Sequence, residues 1–407
     1  MVRSGLDRAA RSLFAGRRIG LVTNPTGVNR ALQPTAVALT AVGATVAAIF
    51  GPEHGYTGVA DAGEWVEDAC DPATGAPVYS LYRTGADGAP VYAPPPGSLD
   101  GLDALVFDIQ DVGARYYTYP TTLGLLLEQS SVPIIVLDRP NPLGGLEVEG
   151  PTLAPDVVSF VGRYPTPVRH GLTLGEWATW VNDGVPGGRA KLAVVEMEGW
   201  RREMRWGQTG LPWVPPSPNL PTPDAALVYP GTCLAEGTNL SCGRGTTRPF
   251  ELVGAPWLDP TAFAAALNAL DLPGLRFRPT YFRPLADRFV GDVCGGVQLY
   301  PTRMGARRLL PGSVRAGLAI IAVALRLGGE HFAWLPAHFD RLIGSDAPRL
   351  LLNTSGGDPA ALPPLFAQWE ADEAAFRAAR APYLRYPHIP AAPRVMQGLN
   401  SFDQGHT

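Results

Sequence analysis

Apolar residues in the first half of this chain gather in short, unbroken runs. The first is Arg18-Ile-Gly-Leu-Val-Thr23, closed by Asn-Pro-Thr-Gly27, and it predicts a buried strand. Residues 34–42 suit a helix, with Pro34 in the first turn and Gly43 at the stop. Residues 45–50, 77–82, 104–109 and 133–138 predict four further strands, with a helix over 121–129 between the last two. These runs are apolar throughout rather than alternating, so both faces of each strand are buried. That pattern belongs to a parallel sheet covered by helices and wound with right-handed crossovers. The expected fold class is therefore α/β, with a Rossmann-like, doubly wound, mostly parallel sheet. Ligands of such sheets lie beyond the carboxyl ends of the strands. Four polar segments fall there: 24–27, 51–55, 110–115 and 139–144.

Further along, Thr173-Leu-Gly-Glu176 is a capping box that opens a helix to about residue 182, and 192–197 reads as another strand. Trp213-Val-Pro-Pro-Ser-Pro-Asn-Leu-Pro-Thr-Pro223 holds too much proline for regular structure and predicts an extended connector. Residues 1–212 are thus expected to form the Rossmann-like unit and 224–407 a smaller auxiliary one. The second unit has mixed signals: Asp259 capping a helix to 270, strands near Phe277 and Val297, a helix over 313–327 and Ala-rich helices over 360–379. It reads as α+β.

At 407 residues the chain is long enough for two such units, and 46% hydrophobic residues supply a sizeable core. Charged residues are only 17% and the net charge is −4, which argues against a nucleic-acid binder. Lys191 is the only lysine, so nearly all positive charge is arginine, a bias with no evident functional cause. No apolar run reaches the roughly 20 residues of a membrane span, and the first residues lack the apolar stretch of a secretory signal. A cytoplasmic setting, with no membrane association, is the expectation. Cys70, Cys233, Cys242 and Cys294 have no C-x-x-C spacing, so reduced thiols are expected rather than a zinc or redox motif.

The segment 231–250 is the richest in candidate chemistry. Glu236, Asn239 and Arg244 sit there among glycines and hydroxyls, the make-up of a loop that binds something polar. Glu53 and His54 lie between two glycines at a strand end, where a carboxyl group in a narrow, partly dry cleft suits a general acid and the imidazole suits a proton relay. Asp108, Gln110 and Asp111 close the next strand, followed by Arg115 and by Tyr116, Tyr117 and Tyr119, whose planar faces can stack on sugar rings. Arg139 and Asn141 repeat the pattern after Asp138, and Asn24 does so after the first strand. Glu236 is the natural partner for Glu53, because glycoside hydrolysis commonly uses two carboxyl groups across the bond. No G-x-S-x-G elbow, P-loop or G-x-G-x-x-G follows the first strand, and no cofactor is expected.

Five segments together resemble the exo-β-N-acetylmuramidase family: Phe50-Gly-Pro-Glu-His-Gly55, Asp108 through Tyr119, Leu137 through Gly145, Pro215 through Thr222 and Tyr229 through Phe250. The resemblance spans nearly the whole chain. It implies a hydrolase that removes terminal N-acetylmuramic acid from the non-reducing end of peptidoglycan fragments, with its cleft between a Rossmann-like and an auxiliary unit. It also implies a catalytic Glu53. Members often carry Glu where this chain has Cys242, which gives Glu236 more weight; many are exported, whereas this chain points to intracellular recycling of wall fragments. The sugar's lactyl carboxylate wants arginine, for which Arg115, Arg139 and Arg244 are the candidates. Its acetamido group wants Asn, Gln or backbone partners and could itself attack the anomeric carbon. Two other readings compete: a non-catalytic sugar- or muropeptide-binding protein using the same loops, and a metal-dependent hydrolase using Asp108, Asp111 and Asp138.

Overall fold

The computed structural model describes residues 1–388 apart from 62, 65, 86, 185–189, 305–306 and 309–311. In chain order the strands of the first half are β1 (Arg18–Thr23), β2 (Thr45–Gly51), β3 (Ala69–Cys70), β4 (Pro77–Ser80), β5 (Tyr82–Thr84), β6 (Pro90–Tyr92), β7 (Ala104–Asp108), β8 (Ile134–Leu137) and β9 (Leu192–Val195). Seven of them form one sheet in the order β3-β4-β2-β1-β7-β8-β9. Every pairing is parallel except β3 with β4. The chain winds outward from β1 through β2 to β4, then returns to lay β7 on the other side of β1, so the winding reverses between β1 and β7.

The unbroken apolar runs are explained by burial on both faces. Leu21, Ile49, Val106 and Ile135 point into one core layer, completed by Phe14 of α1 (Arg11–Phe14) and Leu39 of α2 (Thr35–Ala41). Their neighbours Val22, Phe50, Phe107 and Val136 point into the other, with Leu123 of α3 (Thr118–Gln129) and Trp177 of α4 (Leu174–Gly184). The capping box at α4 forms: Thr173 N donates to Glu176 Oε2 at 3.0 Å and Glu176 N to Thr173 Oγ1 at 3.2 Å. The run 77–82 does not stay one strand. Ser80 Oγ bonds both the carbonyl and the N–H of Tyr82, at 2.9 and 3.1 Å, and the chain leaves the sheet there to form the β5–β6 hairpin.

In the second half α5 (Pro223–Thr232), α6 (Pro260–Ala269), α7 (Ser313–Gly328), α8 (Pro336–Ile343), α9 (Ala347–Thr354) and α10 (Leu362–Arg380) accompany β10 (Leu252–Ala255), β11 (Leu275–Phe282) and β12 (Cys294–Pro301). These strands make an antiparallel sheet in the order β10-β12-β11. Asp259 caps α6 through the Ala262 N–H at 2.8 Å. Helices α5 and α7 touch at glycines: a Cβ on Gly231 would lie 2.0 Å from the Ser313 carbonyl oxygen. One apolar core runs through both halves, holding Phe50 and Tyr117 together with Val228, Val253 and Phe339. The last described segment returns to the first sheet, where Tyr386 donates to Asp138 and the Arg385 N–H to Glu176 at 2.8 Å.

Candidate functional site

The crevice at the winding reversal between β1 and β7, where doubly wound sheets usually hold ligands, is filled. Asp108, at the end of β7 and fully buried, accepts two bonds from Arg139 at 2.6 and 2.9 Å and one from Thr35. What remains is a cavity of about 20 Å³ bounded by Thr26, Gln110, Arg139, Trp206 and Pro212, large enough for a water molecule and nothing bigger.

The useful space lies one strand over, beyond β2. A chamber of about 250 Å³ is lined by Glu53, His54, Tyr116, Tyr117 and Thr118 from the first half, by Ser217 from the proline-rich connector, and by Tyr229, Cys233, Glu236, Arg244, Phe250 and His338 from the second. Six sequence-identified residues therefore meet in one place: Glu53, His54, Tyr116, Tyr117, Glu236 and Arg244. The chamber opens into an outer one of about 660 Å³, and Glu236, Arg244 and His338 border both.

The turn after β2 sets the first acidic group. His54 holds a left-handed backbone (φ 68°), an unusual state for a non-glycine residue and one that signals a constrained loop. Its Nδ1 lies 2.8 Å from the Ala60 carbonyl. A carbonyl only accepts, so Nδ1 carries the proton and, in the neutral ring, Nε2 is an acceptor. Glu53 receives the Thr118 hydroxyl on Oε2 and the Gly63 N–H on Oε1 at 3.2 Å. Thr118 is the first residue of α3, whose first turn also holds Pro120. Burial and then the Glu53 charge raise the phenols of Tyr82, Tyr92 and Tyr119, keeping them neutral donors.

The second acidic group sits in a short 3₁₀ turn, Cys233–Gly237, directly after α5. Arg244 Nε donates to Glu236 Oε1 at 2.7 Å, and the Cys233 and Cys242 thiols face the two carboxylate oxygens at 3.8 and 3.9 Å. Burial, with the Glu236 charge second, pushes Cys242 up to about 12 and raises Cys233 as well, so both remain thiols. The Arg244 guanidinium also lies over the Phe250 ring, 5.2 Å from its centre. His338, on α8, is held below the ordinary histidine range chiefly by burial, with Arg288 and Arg341 adding to the effect and Glu236 opposing it.

The remaining sequence candidates, Tyr119 among them, do not line either chamber, and each is engaged in holding the scaffold. Asn24 bonds Tyr119 and Thr26. Asp108 and Arg139 form the buried pair described above. Gln110 donates to the Pro140 and Asp111 carbonyls at 2.8 and 2.7 Å. Asp111 accepts the Gly113 N–H at 2.7 Å, and burial lifts its carboxyl to about 7. Arg115 is spent on the carbonyls of Pro151, Thr166 and Leu342, at 2.9, 2.6 and 3.1 Å. Asn141 braces Leu172 and Leu143, and Asn239 braces His331 and Ala333. The polar rim is real, but most of it is turned inward. The trio Asp108, Asp111 and Asp138 does not converge either, since Asp138 is bound by Thr173, Tyr386 and the Gly175 N–H. Among the described residues no group of three or more His, Cys, Asp or Glu side chains is placed to hold a metal ion.

Sequence reading missed Thr118, Ser217, Tyr229, Phe250 and His338 on the inner wall, and Arg288 on the outer. Ser217, Tyr229 and Phe250 lie inside the segments that carry the family resemblance and were open to selection. His338 and Arg288 lie in no polar cluster and become visible only when α8 and the β11–β12 loop fold over Glu236.

Comparison with known proteins agrees with this architecture. Residues 19–224 match the family model described as exo-beta-N-acetylmuramidase NamZ, N-terminal, and residues 227–386 the one described as its C-terminal part. The peptidoglycan beta-N-acetylmuramidase NamZ of Bacillus subtilis is 44% identical over 352 residues, covering 84% of this chain and 82% of that protein. Two crystal structures of DUF1343 family proteins from Bacteroides fragilis share the fold. One has a TM-score of 0.82 at 33% identity, covering 95% of this chain and 99% of its own; the other has 0.74 at 30%, covering 96% and 100%.

Proposed function

The chain belongs to the exo-beta-N-acetylmuramidase NamZ family, and from that membership and its cleft we propose that it is a glycosidase releasing terminal N-acetylmuramic acid from the non-reducing end of peptidoglycan fragments. The observation that carries the site assignment is the meeting of Glu53 and Glu236, from opposite halves, on the walls of one small chamber. We place the division between catalytic and auxiliary units at the proline-rich connector, 213–223.

Glu53 is the general acid. Its proton passes to the glycosidic oxygen as the bond from that oxygen to the anomeric carbon breaks, and returns from the water that completes hydrolysis. The Thr118 hydroxyl suits both states of this cycle, since it donates to a carboxylate and accepts from a carboxylic acid. His54 orders the turn and offers an acceptor nitrogen to a substrate hydroxyl or a relayed proton. Glu236, paired with Arg244 at 2.7 Å, takes the other role: its carboxylate stabilises positive charge developing at the anomeric carbon. Attack by the sugar's own acetamido oxygen then requires no protein nucleophile.

Of the three arginines expected to read the lactyl carboxylate, Arg244 alone borders the chamber. Its Nε is committed to Glu236, which orients the guanidinium and leaves the planar donor edge for a second carboxylate. All four cysteines are free, and no described helix is long and apolar enough to cross a membrane.

The test is direct. The purified protein is incubated with a muramic acid–glucosamine disaccharide and with a disaccharide that begins in glucosamine. Monosaccharide is released from the first only. Equal release from both, or none from the first, removes the assignment. Arg244→Ala should raise KM for the muramyl substrate by about tenfold or more, the loss expected for a charge-assisted hydrogen bond.

A further inference from the structure

The outer chamber has more than twice the volume of the inner one, and the two meet at Glu236, Arg244 and His338. Bond cleavage at such a junction leaves one part of the substrate on either side. The inner side is sized for a single sugar, so the outer side faces what departs.

The outer wall is built in an unusual way. The loop between β11 and β12 carries Asp287 and Phe289 in left-handed backbone states (φ 67° and 57°), flanking Arg288. Such states are unfavourable for a non-glycine residue and persist only where the surroundings impose them. Here they do. Leu285 N donates to the Gly245 carbonyl at 3.0 Å, Gly291 N to the Pro284 carbonyl at 3.0 Å, and Arg288 Nη2 to the Glu236 carbonyl at 3.1 Å. Gly245 is itself left-handed (φ 73°), and a Cβ there would lie 2.2 Å from Ala286 N, so the loop rests directly on glycine backbone. The constrained turn sets Asp287 and Arg288 on the outer wall, which Asn219 also lines. Among the described residues of that lining the one aromatic ring is the His338 imidazole, while Asp61, Asn219, Asp287 and Arg288 supply donors and acceptors. Recognition there runs through hydrogen bonds to hydroxyl and amide groups.

We propose that the outer chamber is the subsite for the leaving amino sugar and that Arg288, supported by Asp287, is its specificity-determining residue. The proposal rests on the muramidase reading of the inner chamber. A guanidinium supplies donors to ring hydroxyls and to an acetamido carbonyl, and the Asp287 carboxylate accepts from hydroxyls.

The experiment compares two substrates that share the muramyl part: the muramic acid–glucosamine disaccharide and a p-nitrophenyl muramide, whose flat leaving group lacks those hydroxyl and amide groups. The readout is the ratio of their kcat/KM values. Arg288→Ala lowers the disaccharide-to-aryl ratio by about tenfold, mainly through KM, and Arg288→Lys recovers part of it. Asp287→Asn, which tolerates the left-handed backbone, lowers the ratio by a smaller factor and serves if the alanine variant folds poorly. An unchanged ratio in folded Arg288→Ala and Asp287→Asn proteins overturns the proposal. So does a parallel loss on both substrates, which would assign the loop to the inner chamber. Wild-type protein that cleaves neither substrate sinks the muramidase reading, and this subsite with it.

Discussion

Replacing Glu53 by Gln keeps the shape of the side chain and removes its ability to give and take a proton. The carboxylate accepts the Thr118 hydroxyl and the Gly63 N–H. In the variant, the amide oxygen can keep Gly63 while the amide nitrogen donates to Thr118, whose hydroxyl only has to turn. Stability should therefore change by less than about 1 kcal/mol, the worth of one ordinary hydrogen bond. Catalysis should change far more. General acid assistance is worth about 10²–10⁴ in rate, or roughly 3–5 kcal/mol of barrier at about 1.4 kcal/mol per tenfold. That loss falls on a sugar leaving group, which departs as a strongly basic alkoxide unless it is protonated. A p-nitrophenyl group departs as a stable phenolate and needs the proton much less. The assay is kcat/KM for Glu53→Gln on the muramyl disaccharide and on p-nitrophenyl muramide, beside urea melts of both proteins. The disaccharide rate should collapse and the aryl rate should fall by much less. Wild-type turnover of the disaccharide, or equal losses on both substrates at unchanged stability, refutes the role of Glu53 as general acid.

Three further outcomes follow from the scaffold. Asp111 is buried, and burial raises its folded pKa to about 7 from the ordinary value of 3.8; the folded protein thus binds the extra proton between about pH 4 and 7, and stability falls as pH rises through that window. Asp111→Asn should flatten this slope and raise the unfolding free energy at pH 8 by an amount of the order of 2–4 kcal/mol that shrinks toward pH 4, read as a higher urea midpoint. Arg139→Ala strands the fully buried Asp108 carboxylate and should lower unfolding free energy by about 3–5 kcal/mol, seen as a large drop in urea midpoint. Gly231→Ala drives a methyl group into the Ser313 carbonyl and should cost about 1–3 kcal/mol by the same measurement, while Ala at exposed Gly184, with nothing near its Cβ, should change little.

The scaffold was largely written in local pattern. Unbroken apolar runs such as 18–23 and 104–108 announced strands buried on both faces, because the requirement acts residue by residue along the strand. Capping signals at Thr173 and Asp259 placed helix starts, because a cap is a contact across three residues. The glycine-rich 231–250 segment and the Phe50–Gly55 turn could be recognised as chemical because both pack polar groups beside glycines. What local pattern could not say is which way a polar side chain turns. Asp108 and Arg139 carry the same signature as Glu53 and Arg244, yet one pair neutralises itself inside the sheet and the other borders a chamber. For Asp108 that choice depends on Arg139, 31 residues away, and for Arg288 and His338 on a loop and a helix brought over Glu236 by the packing of the second half. Backbone periodicity is fixed by neighbours along the chain. The direction and charge of a buried polar group are fixed by whichever desolvated partner the fold sets against it, and only the assembled tertiary structure decides that.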